Sequence, residues 1–457
     1  MGKLEDNYIK MTQTPVKKLI LKMALPTIIG MLITSLYSLT DTFFVSKLNN
    51  SNMTSAIGVI FSFISVVQAL GFLFGYGSGN SISNLLGKKE ELEAKKFATV
   101  GFYLSALCGL IVALAGFLFL PFLIKILGGA ISKDLQSACT TYVFPILFSV
   151  PFTTSAVTLN NQLRLQGKAK EGALGLIIGM GLNMVLDPIL IFGLGMGIKG
   201  AGIATSIGQI VGFVVLFKTS MKTGNIGPMI KPDFKLIMDC FSVKKTVRVV
   251  YGGCPNFIRQ GVTSISCALL NQAAGVYGKE ALAAFTVNSR YIFIIYAIAV
   301  GLGQGFQPVC AFNYGAKKYN RVKEGFDFCV KVTTIYLLVF AIISFWCAPF
   351  IMSAFSKEES VVVYGIEILR MQTVSLPFLG FYILVGMMLQ NTGNFGKATF
   401  ETILRQGIFF IPLVLVLPRL FGFVGVAMVA PTSDILSFIA ALFILGAFKA
   451  NKVIEKA

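Results

Sequence analysis

The chain has 457 residues, of which 55% are hydrophobic and only 13% charged, and its mean hydropathy is +0.78. A soluble domain carries about 25% charged residues, so this composition excludes a water-soluble globule and makes lipid the solvent for much of the surface. The formal charge is +19, but the 39 Lys and Arg residues lie between long apolar runs rather than in one patch, which points to membrane topology and away from nucleic acid.

The opening stretch, MGKLEDNYIKMTQTPVKK, is polar and lacks the apolar core and cleavage site of a signal peptide. Apolar segments long enough to span a bilayer as helices follow at 19–45, 55–80, 97–120, 138–160, 173–193, 201–220, 247–275, 282–308, 326–350, 362–390, 400–421 and 423–447. Pro418, Arg419 and Gly422 mark a turn between the last two. With the N-terminus inside, 29 Lys and Arg residues fall in inner segments and 7 in outer loops; Arg259, Arg290 and Arg370 fall within spans. That alternation follows the positive-inside rule and predicts twelve crossings with both termini cytoplasmic.

The two halves repeat. GYGSGNSISNLLGKK from Gly75 answers GQGFQPVCAFNYGAKK from Gly303, with Gly75, Gly77 and Gly87 matching Gly303, Gly305 and Gly315 at an offset of 228. Pro26 answers Pro255, and Gly200 answers Gly425. Six spans per half give both halves one orientation, as parallel repeats about an axis along the membrane normal. The fold predicted is all-α: two six-helix bundles, an N-lobe at 1–220 and a C-lobe at 247–457, joined by a cytoplasmic linker at 221–246. Pro26, Pro188 and Pro255 would bend their helices.

Acidic residues within spans are costly and usually functional, and three stand out: Asp41, Asp187 and Asp434. Asp41 follows Lys22 by 19 residues, and Asp187 follows Glu171 by 16. At about 1.5 Å per residue, both lie in the outer part of the bilayer. Asn183 shares a face with Asp187 one turn away, and Thr205 enters its helix at similar depth. These oxygens would suit Na⁺, or the carboxylates could hold a proton, because burial favours the neutral form. The alternatives are that Asp41 caps a helix end and that Asp187 bonds a neighbouring hydroxyl. Asp434 would pair with Arg259 or form a second proton or substrate site. Tyr37, Asn160 and Met180 could line a cavity for flat cations, although packing explains any one of them equally well.

The segment GLGMGIKGAGIATSIGQ at 193–209 reads as a tight outer turn and a small-residue helix face, since no βαβ pattern surrounds it. No GxxxxGK[ST] occurs, so no ATP site is expected and an ion gradient would supply the energy. Histidine is absent, and the eight cysteines form no CxxC pair, which argues against zinc and against a disulfide framework.

ALPTIIGMLITSLYSLTDTFFVSKL at 24–48, GYGSGNSISNLLGKK at 75–89, LRLQGKAKEG at 163–172 and GLNMVLDPILIFGLGMGIKGAGIATSIGQ at 181–209 resemble the multidrug and toxic compound extrusion (MATE) family, especially its bacterial MepA-like and DinF-like branches. The resemblance covers essentially the whole chain. It implies a V-shaped twelve-helix antiporter, without a cofactor, exchanging Na⁺ or H⁺ for cationic drugs. It places Asp41, Asn183, Asp187 and Thr205 in an N-lobe cation site, with Tyr37 and Asn160 near the drug cavity. One branch uses an acidic residue on the seventh helix, but 247–275 contains none. The expected setting is a bacterial plasma membrane, and the expected partners are lipid and small drugs, the protein acting as a monomer. Two rivals are a flippase for lipid-linked oligosaccharides, which would need a more cationic cavity, and a membrane-embedded enzyme, which would need a nucleophile–base pair or a metal cluster.

Overall fold

The structure, a computed structural model, describes residues 2–48, 50–222, 224–229 and 240–450. The described residues are helical nearly throughout and contain no strand. In chain order the helices are α1 (Gly2–Gln13), α2 (Val16–Ser46), α3 (Ser51–Gly87), α4 (Glu91–Leu118), α5 (Leu120–Ile126), α6 (Lys133–Leu165), α7 (Ala169–Pro188) and α8 (Gly197–Ser220). They continue as α9 (Val243–Gly275), α10 (Lys279–Gly315), α11 (Tyr319–Trp346), α12 (Ala348–Phe355), α13 (Glu359–Asn391), α14 (Phe395–Ile403) and α15 (Phe410–Ala450). A π turn at Ile189–Gly193 extends α7, and a second at Leu404–Phe409 joins α14 to α15.

Among the described residues, nine helical stretches are long and apolar enough to cross a membrane, as expected of a multi-pass protein. The last of these, Phe395–Gly446, contains the break expected near Pro418: Gly422 adopts φ 60°, ψ −138°, and helix continues on either side. That conformation suits a residue without Cβ. The short helices α1, α5 and α12 were not foreseen. The 29 inner Lys and Arg residues of the charge tally include Arg405, which lies within the second π turn with its side chain largely buried.

Local signals account for several boundaries. The Asn50 side chain accepts from the amides of Asn52 (3.0 Å) and Met53 (3.4 Å) at the start of α3. Ser132 accepts from the Leu135 amide (3.1 Å) at the start of α6. Both satisfy donors that a helix start leaves open. The repeat also shows in the backbone. Lys89 (φ 63°) and Lys317 (φ 59°) are the described non-glycine residues with positive φ, and each lies two residues after a matched glycine, Gly87 or Gly315. Gly167 (φ 81°) and Gly393 (φ 83°) form a second matched pair of turns.

The chain divides into two compact units. Unit 1 holds residues 1–13 and 29–257; unit 2 holds 14–28 and 258–457. Both α2 and α9 are therefore shared between units. In unit 1 the first part of α9 lies so close to α3 that a Cβ on Gly77 would run into Val249 O, and one on Gly253 into Leu73 O. In unit 2 the first part of α2 lies against α10, where a Cβ on Gly301 would meet Ile28 and one on Gly305 would stand 2.6 Å from Ala24 N. Gly77 and Gly305 are matched residues of the repeat, so the same glycine serves the same close approach in each unit.

Candidate functional site

In unit 1, glycines bring α7 and α8 together. A Cβ on Gly208 would lie 2.6 Å from Gly179 O, and one on Gly212 would lie 3.0 Å from Gly175 O. Small residues at both contacts let the backbones approach. This approach brings Asn183 on α7 to Thr205 on α8, and the Asn183 amide donates to the Thr205 hydroxyl at 3.3 Å. Both are buried, and the Asn183 carbonyl oxygen has no hydrogen-bond partner among the described residues.

Asp187 lies one turn further along α7 and is fully buried, at 0% exposure. Pro188 follows it, and helical bonding changes there to the wider π turn. Proline removes a donor, and π turns leave carbonyls displaced from the regular ladder. The structure therefore brings two of the four predicted cation-site residues, Asn183 and Thr205, into contact, with Asp187 one turn beyond Asn183 on the same helix. Carboxylate, amide and hydroxyl oxygens are hard donors of the kind that bind Na⁺, and a carboxylate can bind a proton instead. The fourth, Asp41, lies on α2 with Tyr37, and the side chains of both fall outside the described residues.

The predicted cavity residues are placed as follows. Asn160 is half-buried and donates to Gly172 O at 2.8 Å, tying α6 to α7. Met180 is half-buried on α7. Pro26 and Pro188 are half-buried, while Pro255 is buried on the part of α9 that belongs to unit 1. Among the described residues, no group of three or more His, Cys, Asp or Glu side chains could hold a metal ion.

Sequence reasoning missed a polar clamp beside this site. Gln209 on α8 accepts from Ser149 (2.5 Å) and Thr153 (2.6 Å) on α6. Unit 2 has a charged counterpart. Asp434 on α15 accepts from Arg405 Nε at 2.6 Å and from the Ser375 hydroxyl of α13 at 3.0 Å. Its ion pair is thus with Arg405, where the sequence had suggested Arg259, which is half-buried on α9. The reach across one helix pair explains the choice: the main-chain oxygen of Arg405 also accepts from the hydroxyl of Ser433, the residue before Asp434. Glu401, within the predicted span 400–421, was overlooked although it is an acidic residue in an apolar run; it is 3% exposed.

Comparison with known proteins places this architecture. The MatE family model matches residues 26–189 and 255–416, one stretch in each half. The multidrug export protein MepA of Staphylococcus haemolyticus (strain JCSC1435) is 28% identical over 457 residues, covering 99% of this chain and 98% of its own. MepA of Staphylococcus aureus (strain MRSA252) is 28% identical over 437 residues, covering 95% and 94%. Among solved structures, a MOP superfamily transporter from Pyrococcus furiosus superposes with TM-score 0.87 at 23% identity, covering 97% of this chain and 98% of that one. A Vibrio cholerae MATE transporter superposes with TM-score 0.89 at 18% identity, covering both chains in full. With its two matched halves, its apolar helices and these relatives, the chain belongs to the MATE family of membrane transporters.

Proposed function

We propose that this chain is a multidrug exporter, an antiporter that exchanges Na⁺ or H⁺ for small amphipathic, often cationic drugs by alternating access. The relation to MepA along nearly the whole length supports the export role. The observation that carries the coupling reading is the buried carboxylate of Asp187, one turn from the Asn183–Thr205 contact on two glycine-packed helices. A buried carboxylate beside an amide and a hydroxyl oxygen is a hard donor that either Na⁺ or a proton can load. Asp41 completes the site in this reading, and Tyr37, Asn160 and Met180 border the drug path.

The chain crosses a bacterial plasma membrane twelve times with both termini in the cytoplasm. Nine crossings follow from the apolar helices, the kink at Gly422 divides one of these into two, and α2 and α9 supply the rest. It works as a monomer without ATP. Lobes 1–220 and 247–457 alternate access, with Pro26 and Pro255 as the bending points of α2 and α9.

The test is efflux of a fluorescent organic cation from proteoliposomes under separately imposed Na⁺ and pH gradients. Asp187→Asn is expected to abolish gradient-driven efflux while insertion and monodispersity are kept. Undiminished efflux from a folded Asp187→Asn protein rejects the coupling site, and no efflux from the parent under either gradient rejects the antiporter.

A further inference from the structure

The same helix pair occurs in both units, yet its chemistry differs. Counting from the matched turns at Gly167 and Gly393, Gly175 of α7 answers Glu401 of α14, and Gly179 answers Arg405. Counting from Gly200 and Gly425, Gly208 of α8 answers Ser433, and Gln209 answers Asp434. The contacts agree with this matching. Gly179 O faces Gly208 in unit 1, and Arg405 O accepts from Ser433 in unit 2. Gln209 is held by Ser149, and Asp434 by Ser375, which occupy matching places on α6 and α13. Thus unit 2 carries two carboxylates and a guanidinium where unit 1 has two glycines and an amide. Conversely, the matches of Asn183 and Asp187 fall among Phe409, Phe410, Leu413 and Val414, all apolar. Unit 2 cannot repeat the unit 1 site, but it buries charge elsewhere.

The two carboxylates of unit 2 are held differently. Both oxygens of Asp434 are engaged, one by Arg405 and one by Ser375. Glu401 is as deeply buried, but its Oε1 has no hydrogen-bond partner among the described residues. Arg405 lies at i+4 from Glu401, the spacing of a helical ion pair. The π turn that begins at Leu404 disturbs that register, and the Arg405 side chain bonds Asp434 instead. Room for the carboxylate comes from Gly386 of α13, where any Cβ would collide with Glu401 Oε2. The groups facing it are Tyr382 of α13, whose hydroxyl donates to Glu401 main-chain O at 2.8 Å, Arg259 of α9 and Arg405, both electrostatic partners of its carboxylate, and Tyr296 of α10 and Asp434 of α15 beyond Arg405.

We propose that Glu401 is a second ion-loading site, in unit 2, that takes up and releases one proton beside the Arg405–Asp434 pair. The uptake is a simple association: a proton from water converts the carboxylate to the neutral acid, and its loss restores the anion. With Glu401 ionised, two arginines balance two carboxylates; with the proton bound, the cluster carries one net positive charge. A buried carboxylate with one oxygen unpaired is stabilised by protonation, whereas the two nearby guanidinium groups stabilise the anion. That opposition lets the group change state, while both oxygens of Asp434 are held by Arg405 and Ser375. Proton loading, which makes the cluster more positive, also disfavours an organic cation held in the same unit. That last consequence rests on the exporter reading; the proton site itself does not.

The test is infrared difference spectroscopy of the full-length protein in lipid between acidic and alkaline pH, reading the carbonyl stretch of protonated carboxyl groups. Glu401→Gln is expected to remove one titrating carboxyl per chain, while Asp187→Asn leaves that component in place. If Glu401→Gln does not elute as folded protein, Glu401→Asp keeps a carboxyl on a shorter stem, and its band must move. A difference spectrum unchanged in the folded Gln variant, or an unmoved band in the Asp variant, overturns the proposal. The readout needs no transport, so it stands whether or not proteoliposomes export drug.

Discussion

At the scale of single residues, a charge in an apolar interior is informative through what meets it. Asp434 and Arg405 form a pair in which Asp434 is nearly fully buried. Removing one member leaves the other without its counter-charge, at a cost of about 3–5 kcal/mol. Asp434→Ala should therefore lower the melting temperature of the purified protein markedly, and Asp434→Asn combined with Arg405→Gln should recover much of the loss. A double variant no better than Asp434→Ala would show that the pair is not the source of the effect. Asn183→Ala is a milder change, since it removes one long hydrogen bond (3.3 Å) and one oxygen. It should weaken Na⁺- or H⁺-dependent efflux more than it weakens thermal stability. Asp187 was legible in the sequence because an acidic residue in a long apolar run stands out. Glu401 was equally visible but lies near the start of its span, where an acidic residue looks like a helix end near water. Arg405 was misplaced because hydropathy reports segment boundaries and cannot tell a loop charge from one turned inward by a π turn.

At the scale of elements, glycine decides how closely helices approach. Where a Cβ on Gly77 or Gly253 would strike a backbone carbonyl, no side-chain rotation can relieve the clash. Overpacking of this kind costs about 1–3 kcal/mol and sometimes more. Gly253→Ala should destabilise the protein as measured by thermal unfolding in detergent, whereas Gly261→Ala, on the same helix with open space at its Cβ, should change it little. Equal effects would remove close packing as the cause. Capping makes a smaller contribution. Ser132→Ala removes the acceptor for the Leu135 amide and should cost about 1 kcal/mol. The spans and the matched glycines were readable because hydropathy and repeat spacing are one-dimensional. The π turns at Ile189–Gly193 and Leu404–Phe409 were not, since one extra residue in a helical turn leaves no mark on composition. The Ser149–Gln209 and Ser375–Asp434 clamps were hidden too, because each joins helices about sixty residues apart in sequence.

At the scale of the whole molecule, the repeat is a matter of backbone as well as of sequence. The positive-φ turns at Lys89 and Lys317 keep one geometry with different neighbours, Lys88 in one half and Ala316 in the other. The repeat itself was legible from matched glycines. The sharing of α2 and α9 between units was not, because hydropathy treats each helix as indivisible. That sharing has an experimental consequence. Two fragments separated within 230–239 should co-purify when expressed together, and each should aggregate when expressed alone. A monodisperse, stable 1–229 fragment would contradict it.

The reciprocal exchange of residues 14–28 and 240–257 also bears on how the halves can be parted. Each unit takes one helical segment from the far side of the linker in sequence, so a cut between the sequence halves removes a packed segment from each, and the matched glycines Gly77 and Gly305 mark the seats left empty.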